Sequence, residues 1–231
     1  ATVALVAGRW TETPFIFDMR ALWPEELITA GRLRRGSLLH RMIVASERFC
    51  LQRAAGVVSL THGAVNYLKR RYPDELSNQR VVVIPTCADL ERFRPSVEPP
   101  GQRVIGCLGT ILSGWFCIDW LASFLSVAAS RDPAIRFELT TRDDPAAIRA
   151  AIGNEDLLTR LQIAPIPPER VHEILQGQIA SVMFFTSGLS KLGSSPTRMA
   201  EILGCGLPVV ANSGVGDVAR IIKDYQVGVL A

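Results

Sequence analysis

Metal-ligating residues are few and scattered. The three histidines, His40, His62 and His172, stand far apart, and the five cysteines, Cys50, Cys87, Cys107, Cys117 and Cys205, include no C-x-x-C pair. These spacings exclude the usual zinc sites. An odd number of cysteines in apolar surroundings is also a poor disulfide framework, so they read as reduced core residues of a cytosolic protein. No signal-peptide pattern is present, and no apolar run reaches the roughly 18 residues of a membrane span. The longest, Trp115 to Ala129, is interrupted by Asp119, Ser123 and Ser126. Excess charge is lacking too: a formal net charge of +3, without an RNP, zinc-finger or helix-turn-helix pattern, excludes nucleic acid as a partner. Internal repeats and low-complexity tracts are absent.

What is present is a core. A chain of 231 residues, 48% hydrophobic against 20% charged, is long for one domain and short for two full ones, so a pair of compact units or one and a half is expected. In the second half, Arg103 to Leu108, Ile135 to Thr140, Leu161 to Ile166, Ala180 to Phe185, Leu207 to Ala211 and Val227 to Leu230 read as strands. Helical patterns at Trp115 to Ala129, Pro145 to Ile152, Pro168 to Leu175 and about Pro196 to Leu203 lie between them, the alternation of a doubly wound parallel sheet. In the first half, Pro14 to Asp18, Gly56 to Leu60 and Arg80 to Pro85 read as strands; the last lacks alternation, as expected of burial on both faces. Glu25 to Ala55 is helical with a break at Gly31 and Gly36, and Thr61 caps a helix that carries Val65, Leu68 and Tyr72 at core spacing. The chain opens without methionine inside a helical pattern and ends directly after an apolar strand, so the expectation is a fragment of a longer protein.

The chemistry is concentrated in Ser187 to Asp217. A loop leads into the helix, with Ser194 or Ser195 as N-cap and Pro196 in the first turn, and Gly204 and Gly206 stop it. The strand Leu207 to Ala211 then feeds a second glycine turn, Asn212 to Gly216, before a helix from Asp217 to Lys223. Helix N-termini at the carboxyl ends of parallel strands make an anion site, and the Glu201 carboxylate can accept hydrogen bonds from a ribose diol. The stretch therefore reads as the nucleotide end of a donor site, against the plainer reading of a crossover helix with a polar face.

This stretch resembles the donor-site signature of the retaining glycosyltransferases of family 4, in which two glutamates spaced E-x7-E bracket a loop and a helix. Glu201 with Ile202 to Val210 matches the second half, whereas Gly193 stands where the first glutamate is expected. Ser190, Lys191, Ser194, Ser195, Pro196, Thr197 and Arg198 match a subgroup carrying S-K-x-x-S-S-P-T-K/R. Two further segments are similar to the same family. Phe15 to Pro24 matches F-x-F-D-x-R-x-L-W-P, and Ile84, Pro85, Asp89, Phe93 and Pro95 match its interdomain linker, with Thr86, Cys87 and Ala88 departing. The family's arginine and lysine on the donor diphosphate are replaced here by Thr110 and Ser113, in the loop Gly109 to Trp115.

The resemblance implies a two-Rossmann, GT-B-type α/β architecture. Residues 1–95 would form the latter part of an acceptor-side domain, 96–101 a linker, and 102–231 the nucleotide-sugar domain. It implies transfer of a sugar from a nucleotide sugar to a glycan or lipid-linked acceptor with retention of configuration, without cofactor or metal. On the donor side it points to Glu201 for the ribose and Lys191 and Arg198 for the diphosphate, with Gly109, Thr110, Ser113, Gly114, Ser195, Thr197 and Gly214 around them. Asp18, Arg20 and His62 would face an acceptor-side cleft; Asp18 and Arg20 also read as a surface ion pair. No catalytic nucleophile is assigned. The basic segment Arg32, Arg34, Arg35 and Arg41 reads as a solvated face or as a patch that meets anionic lipid head groups or a lipid-diphosphate acceptor, and the expected location is cytoplasmic with peripheral contact at the inner face of the plasma membrane. Arg142, Asp143 and Asp144 read as helix capping rather than metal ligation. A GT-B epimerase and a non-catalytic nucleotide-sugar-binding module are the alternatives.

Overall fold

The computed structural model describes residues 2–231. Contacts divide the chain into two compact units. One comprises the chain up to Thr86 with Ser187–Ser195 and Gly214–Asp217; the other comprises Cys87–Thr186, Pro196–Ser213 and Val218–Ala231. The stretch that reads as one donor element is thus shared out between them, with Lys191 in the first unit and Arg198 and Glu201 in the second.

The first unit runs α1 (Thr2–Thr11), β1 (Ile16–Met19), α2 (Trp23–Thr29), α3 (Leu38–Arg53), β2 (Gly56–Ser59), α4 (His62–Arg71), α5 (Pro73–Leu76) and β3 (Val81–Val83). Its strands form a three-stranded parallel sheet in the order β1-β2-β3, with Ile16 opposite Gly56 and Val57 opposite Val81. Thr61 caps α4 by accepting from the Ala64 amide, which orients Ala64 and Leu68 onto a core with Leu51, Val57 and Tyr72. The break before α3 falls at Gly31 and Gly36, both at positive φ, and Ser37 caps the new helix. One expectation is corrected. The run Arg80 to Pro85 is not buried on both faces: β3 is an edge strand, and Val82 and Ile84 are exposed. Uninterrupted apolarity marks a strand, while its depth depends on its place in the sheet.

The second unit is a six-stranded parallel sheet. It comprises β4 (Val104–Leu108), α6 (Ile118–Arg131), β5 (Arg136–Thr140), α7 (Pro145–Ile152), α8 (Glu155–Leu158), β6 (Leu161–Ala164), α9 (Val171–Gln176), β7 (Ala180–Met183), α10 (Thr197–Gly204), β8 (Val209–Ala211), α11 (Val218–Tyr225) and β9 (Gly228–Leu230). The strand order is β6-β5-β4-β7-β8-β9. In order of appearance within this unit it is the 3-2-1-4-5-6 order of the dinucleotide-binding Rossmann fold. Phe137 and Leu139 of β5 and Val182 of β7 pack with Leu121 and Leu125 of α6 and Ile148 of α7, all essentially closed to solvent. Two corrections apply here. Pro196, not Ser194 or Ser195, occupies the N-cap position of α10, and no side chain caps that helix. Cys87 is exposed, unlike the buried Cys50, Cys107 and Cys205. No helix among the described residues is long and apolar enough to cross a membrane.

Candidate functional site

The winding of the second unit reverses between β4 and β7, and in such sheets the crevice beyond the carboxyl ends of those strands is where ligands bind. Gly109 follows β4 there, and Phe185 lies two residues after the end of β7. Arg198, from the first turn of α10, lies between them. Its guanidinium carbon is 5.0 Å from the Phe185 ring centroid, and its Nη2 would be only 2.2 Å from a Cβ built at Gly109. Gly109 is also at φ +99°, so glycine is required twice over, by backbone conformation and by the arginine against it. Arg198 Nη1 is buried and has no hydrogen-bond partner among the described residues. Burial lowers the Arg198 pKa, partly offset by Cys107 and Glu201. An arginine nevertheless stays charged, so this is a desolvated cation with donors unused.

Glu201 stands one turn further along α10 and is half-buried. Burial raises its pKa, opposed first by Arg92 and then by Arg198. Arg92 is itself held 4.6 Å over the ring of Phe93, which is 2% exposed. The structure therefore brings together a carboxylate, a cation with unmade hydrogen bonds and a glycine turn.

Asp143 was missed by reading the Arg142-Asp143-Asp144 triplet as capping. Asp144 does cap α7, accepting from the Ala146 amide at 3.1 Å. Asp143 turns the other way: its Oδ2 accepts from the amides of Ile111 at 2.5 Å and Leu112 at 2.9 Å. Burial would raise its pKa, but those two amides and Thr141 outweigh it and leave the carboxyl below its ordinary value. Asp143 thus fixes the glycine loop, and two amides of that loop are already engaged. Thr110 and Gly114 are exposed and Ser113 is half-buried. Thr110, Gly109 and Thr140 line a cavity of about 210 Å³ with Arg142, Ile166 and Pro168. The Thr140 hydroxyl, in a residue 5% exposed, has no partner among the described residues. Thr197 begins α10 and is exposed.

The remaining sequence-derived residues belong to the first unit. Lys191 is buried on a 3-10 turn, Leu189–Gly193; burial lowers its pKa, with Glu26 opposing. Its carbonyl accepts from the Gly216 amide at 2.8 Å. Ser195 is held by Thr86: its Oγ accepts from the Thr86 amide at 3.2 Å and its carbonyl from the Thr86 hydroxyl at 2.7 Å. Gly214 lies against Ser187. Gly193, where the family pattern has glutamate, faces the backbone of Ala21 and Leu22 so closely that a Cβ would sit 3.0 Å from the Leu22 nitrogen. Any side chain there requires that backbone to shift, which accounts for glycine physically.

The His62 side chain is exposed, and its amide and that of Gly63 donate to the Asp217 carboxylate at 2.8 and 3.1 Å. Asp217, expected from the sequence to open a helix after the second glycine turn, is therefore the anion at the N-terminus of α4. Asp18 and Arg20 form an ion pair at 3.0 Å and line a cavity of about 720 Å³ that is otherwise largely apolar, with Phe17, Trp23, Leu39 and Met42 in its wall.

Residues 1–87 match the family described as a glycosyl transferase 4-like domain. No curated protein matches the sequence. Among solved structures, WaaG, a glycosyltransferase involved in lipopolysaccharide biosynthesis, is similar with a TM-score of 0.66 and 15% identity, over 93% of this chain and 60% of that one. The GtfA/B complex gives 0.63 and 17%, over 80% and 35%. A variant of S. aureus TarM in complex with fondaparinux, alpha-GlcNAc-glycerol and UDP gives 0.56 and 16%, over 80% and 36%. The chain thus spans about a third of the length of the last two and three fifths of the first. At these identities the likeness is one of fold. By fold the chain is of the GT-B type, and its residues 1–87 are similar to the glycosyl transferase 4-like domain.

Proposed function

We propose that the protein is a glycosyltransferase that moves a sugar from a nucleotide-diphosphate sugar to a glycan or lipid-linked acceptor, with the anomeric configuration retained, in the assembly of a cell-surface polysaccharide. The observation that carries this reading is Arg198. It is a desolvated guanidinium at the switch point of a Rossmann sheet, against a glycine turn, with Nη1 unpartnered among the described residues. A diphosphate oxygen is the ligand such a donor set suits best. The first-turn amides of α10, which no side chain caps, supply further donors to the same anion. Glu201 would hold the ribose hydroxyls. The unpartnered Thr140 hydroxyl would meet the nucleobase, since a cavity of about 210 Å³ suits a single ring system better than a whole ligand.

Catalysis on this reading is stabilisation of the departing nucleoside diphosphate by Arg198 and backbone amides, without a divalent metal and without an assigned protein nucleophile. The acceptor would enter the apolar cavity beside Asp18 and Arg20 in the first unit. WaaG, involved in lipopolysaccharide biosynthesis, and TarM, solved in complex with UDP, agree with this substrate class as neighbours in fold. The test is to incubate the protein with UDP- and GDP-linked sugars and follow release of the nucleoside diphosphate and the anomeric signal of any product by NMR. Release abolished by Glu201→Ala with unchanged circular dichroism is expected. Release indifferent to that substitution, or a product of inverted configuration, contradicts the reading.

A further inference from the structure

The two glycines after Glu201 do more than stop α10: they admit a second segment of the same unit. A Cβ built at Gly204 would lie 2.9 Å from the Phe93 carbonyl oxygen and 3.2 Å from the Phe93 Cβ, and one at Gly206 would lie 3.2 Å from the Pro95 ring. Asp89 shapes that segment, its carbonyl accepting from the amides of Arg92 at 3.2 Å and Phe93 at 2.8 Å. From α9, the His172 ring meets Phe93 edge-on at 6.3 Å between centroids, and Gln176 donates to the Arg94 carbonyl at 2.7 Å. The segment therefore runs beside the end of α10, with Pro95 at Gly206 and Phe93 at Gly204. Arg92, next in that register, comes to the turn that carries Glu201, three residues before Gly204 on the same helix face.

Arg92 is fixed in place by its stack on Phe93, 4.6 Å from guanidinium carbon to ring centroid. Burial pushes the Glu201 carboxyl up, and Arg92, ahead of Arg198, opposes that rise. The remaining titratable neighbour is Cys205 of α10, whose thiol burial and then Glu201 push up to about 11, so it is neutral near pH 7. Among the described residues no ion pair or hydrogen bond engages the Glu201 side chain, and both its oxygens are left to accept from a diol. A cation at this remove favours the carboxylate without taking up its lone pairs, as a direct ion pair would.

We infer that Arg92 is the positioning residue of Glu201, held on the Phe93 ring and set by the close approach at Gly204 and Gly206, on the reading that Glu201 binds the ribose. The two segments that resemble the family separately, Asp89 to Pro95 and the glycines after Glu201, are then two sides of one contact.

The test has two arms. In the first, protein labelled with carboxyl-13C glutamate is titrated by NMR without nucleotide, the Glu201 signal being the one lost in Glu201→Gln. Arg92→Gln is expected to raise the Glu201 midpoint by about 0.5 in pH, the effect of one exposed cation at several ångströms, and Arg92→Lys to keep it in place. In the second, UDP and GDP are titrated calorimetrically against pH. Arg92→Gln is expected to weaken binding about three-fold on the acid limb, to leave it unchanged above that limb, and to add nothing to Glu201→Gln. A midpoint that Arg92→Gln does not move, or that Arg92→Lys moves as far, overturns the inference. So does a loss of affinity that persists at high pH or adds to that of Glu201→Gln, because Arg92 then touches the nucleotide itself. If neither nucleotide binds, the ribose role of Glu201 fails, and the carboxyl titration alone decides whether Arg92 acts on Glu201.

Discussion

The two units put the same residue types to different use. In the second, the apolar runs of β4, β5 and β7 lie inside a six-stranded sheet, and Leu139 and Val182 are fully closed to solvent. In the first, the equally apolar β3 is an edge of three strands, and Val82 is 40% accessible. The helices differ in the same way: Leu121 and Leu125 of α6 are buried, while Leu38 and Met42 of α3 face outward. Sequence apolarity therefore reports the capacity for burial. The neighbouring elements decide whether that capacity is used, for stability in one unit and for an open surface in the other.

That contrast can be broken most forcefully in the sheets. Phe137→Ala in β5 should lower stability by about 3–5 kcal/mol, as expected for an aromatic residue deleted from a closed core, while Val82→Ala in β3 should cost less than about 1 kcal/mol. Chemical denaturation of the two variants measures both, and equal losses would mean that β3 is covered. Gly109→Ala comes next. It sets a side chain at positive φ against Arg198, and should cost more than about 1 kcal/mol and weaken nucleotide binding as the guanidinium is displaced.

Thr61→Ala removes the cap of α4 and the hydroxyl that donates to the Leu192 carbonyl. It should destabilise the first unit by about 1 kcal/mol and leave nucleotide affinity in the second untouched. A subtler expectation concerns pH. On the proposed reading only the carboxylate form of Glu201 can accept from both ribose hydroxyls, and burial raises its pKa. Affinity should be complete above that raised pKa and fall as pH drops through it, at a higher pH than for an ordinary glutamate; Glu201→Gln should flatten this acid limb. The smallest expected effect is that of EDTA on the proposed release of nucleoside diphosphate, which should be none.

The architecture was legible because a doubly wound sheet is built from repeated local signals. The runs at Val104 and Ala180, the Thr61 cap and the Gly31 and Gly36 break each encode their own element. The depth of β3 was not legible, since it depends on sheet order, and the short helices α5 and α8 were missed because four residues carry no periodicity. At the candidate site, Arg198 and Glu201 stand three apart on one helix, a spacing visible in the sequence. Asp143 could not be assigned: two adjacent aspartates before a helix are equivalent in sequence, and only the path of the loop after β4 decides that Asp144 caps the helix while Asp143 takes the Ile111 and Leu112 amides. The close approach of Gly193 to Leu22 joins residues far apart in the chain and leaves no local trace.

The most direct measurement is calorimetric titration of the protein and of Arg198→Ala with UDP, GDP and CMP. Loss of charge-assisted hydrogen bonds of about 1.5–3 kcal/mol predicts that one nucleoside diphosphate binds the unaltered protein and binds the variant roughly 10- to 100-fold more weakly. Failure of every nucleotide to bind, or an affinity that Arg198→Ala leaves unchanged, would contradict the placement of the diphosphate at the β4–β7 switch point.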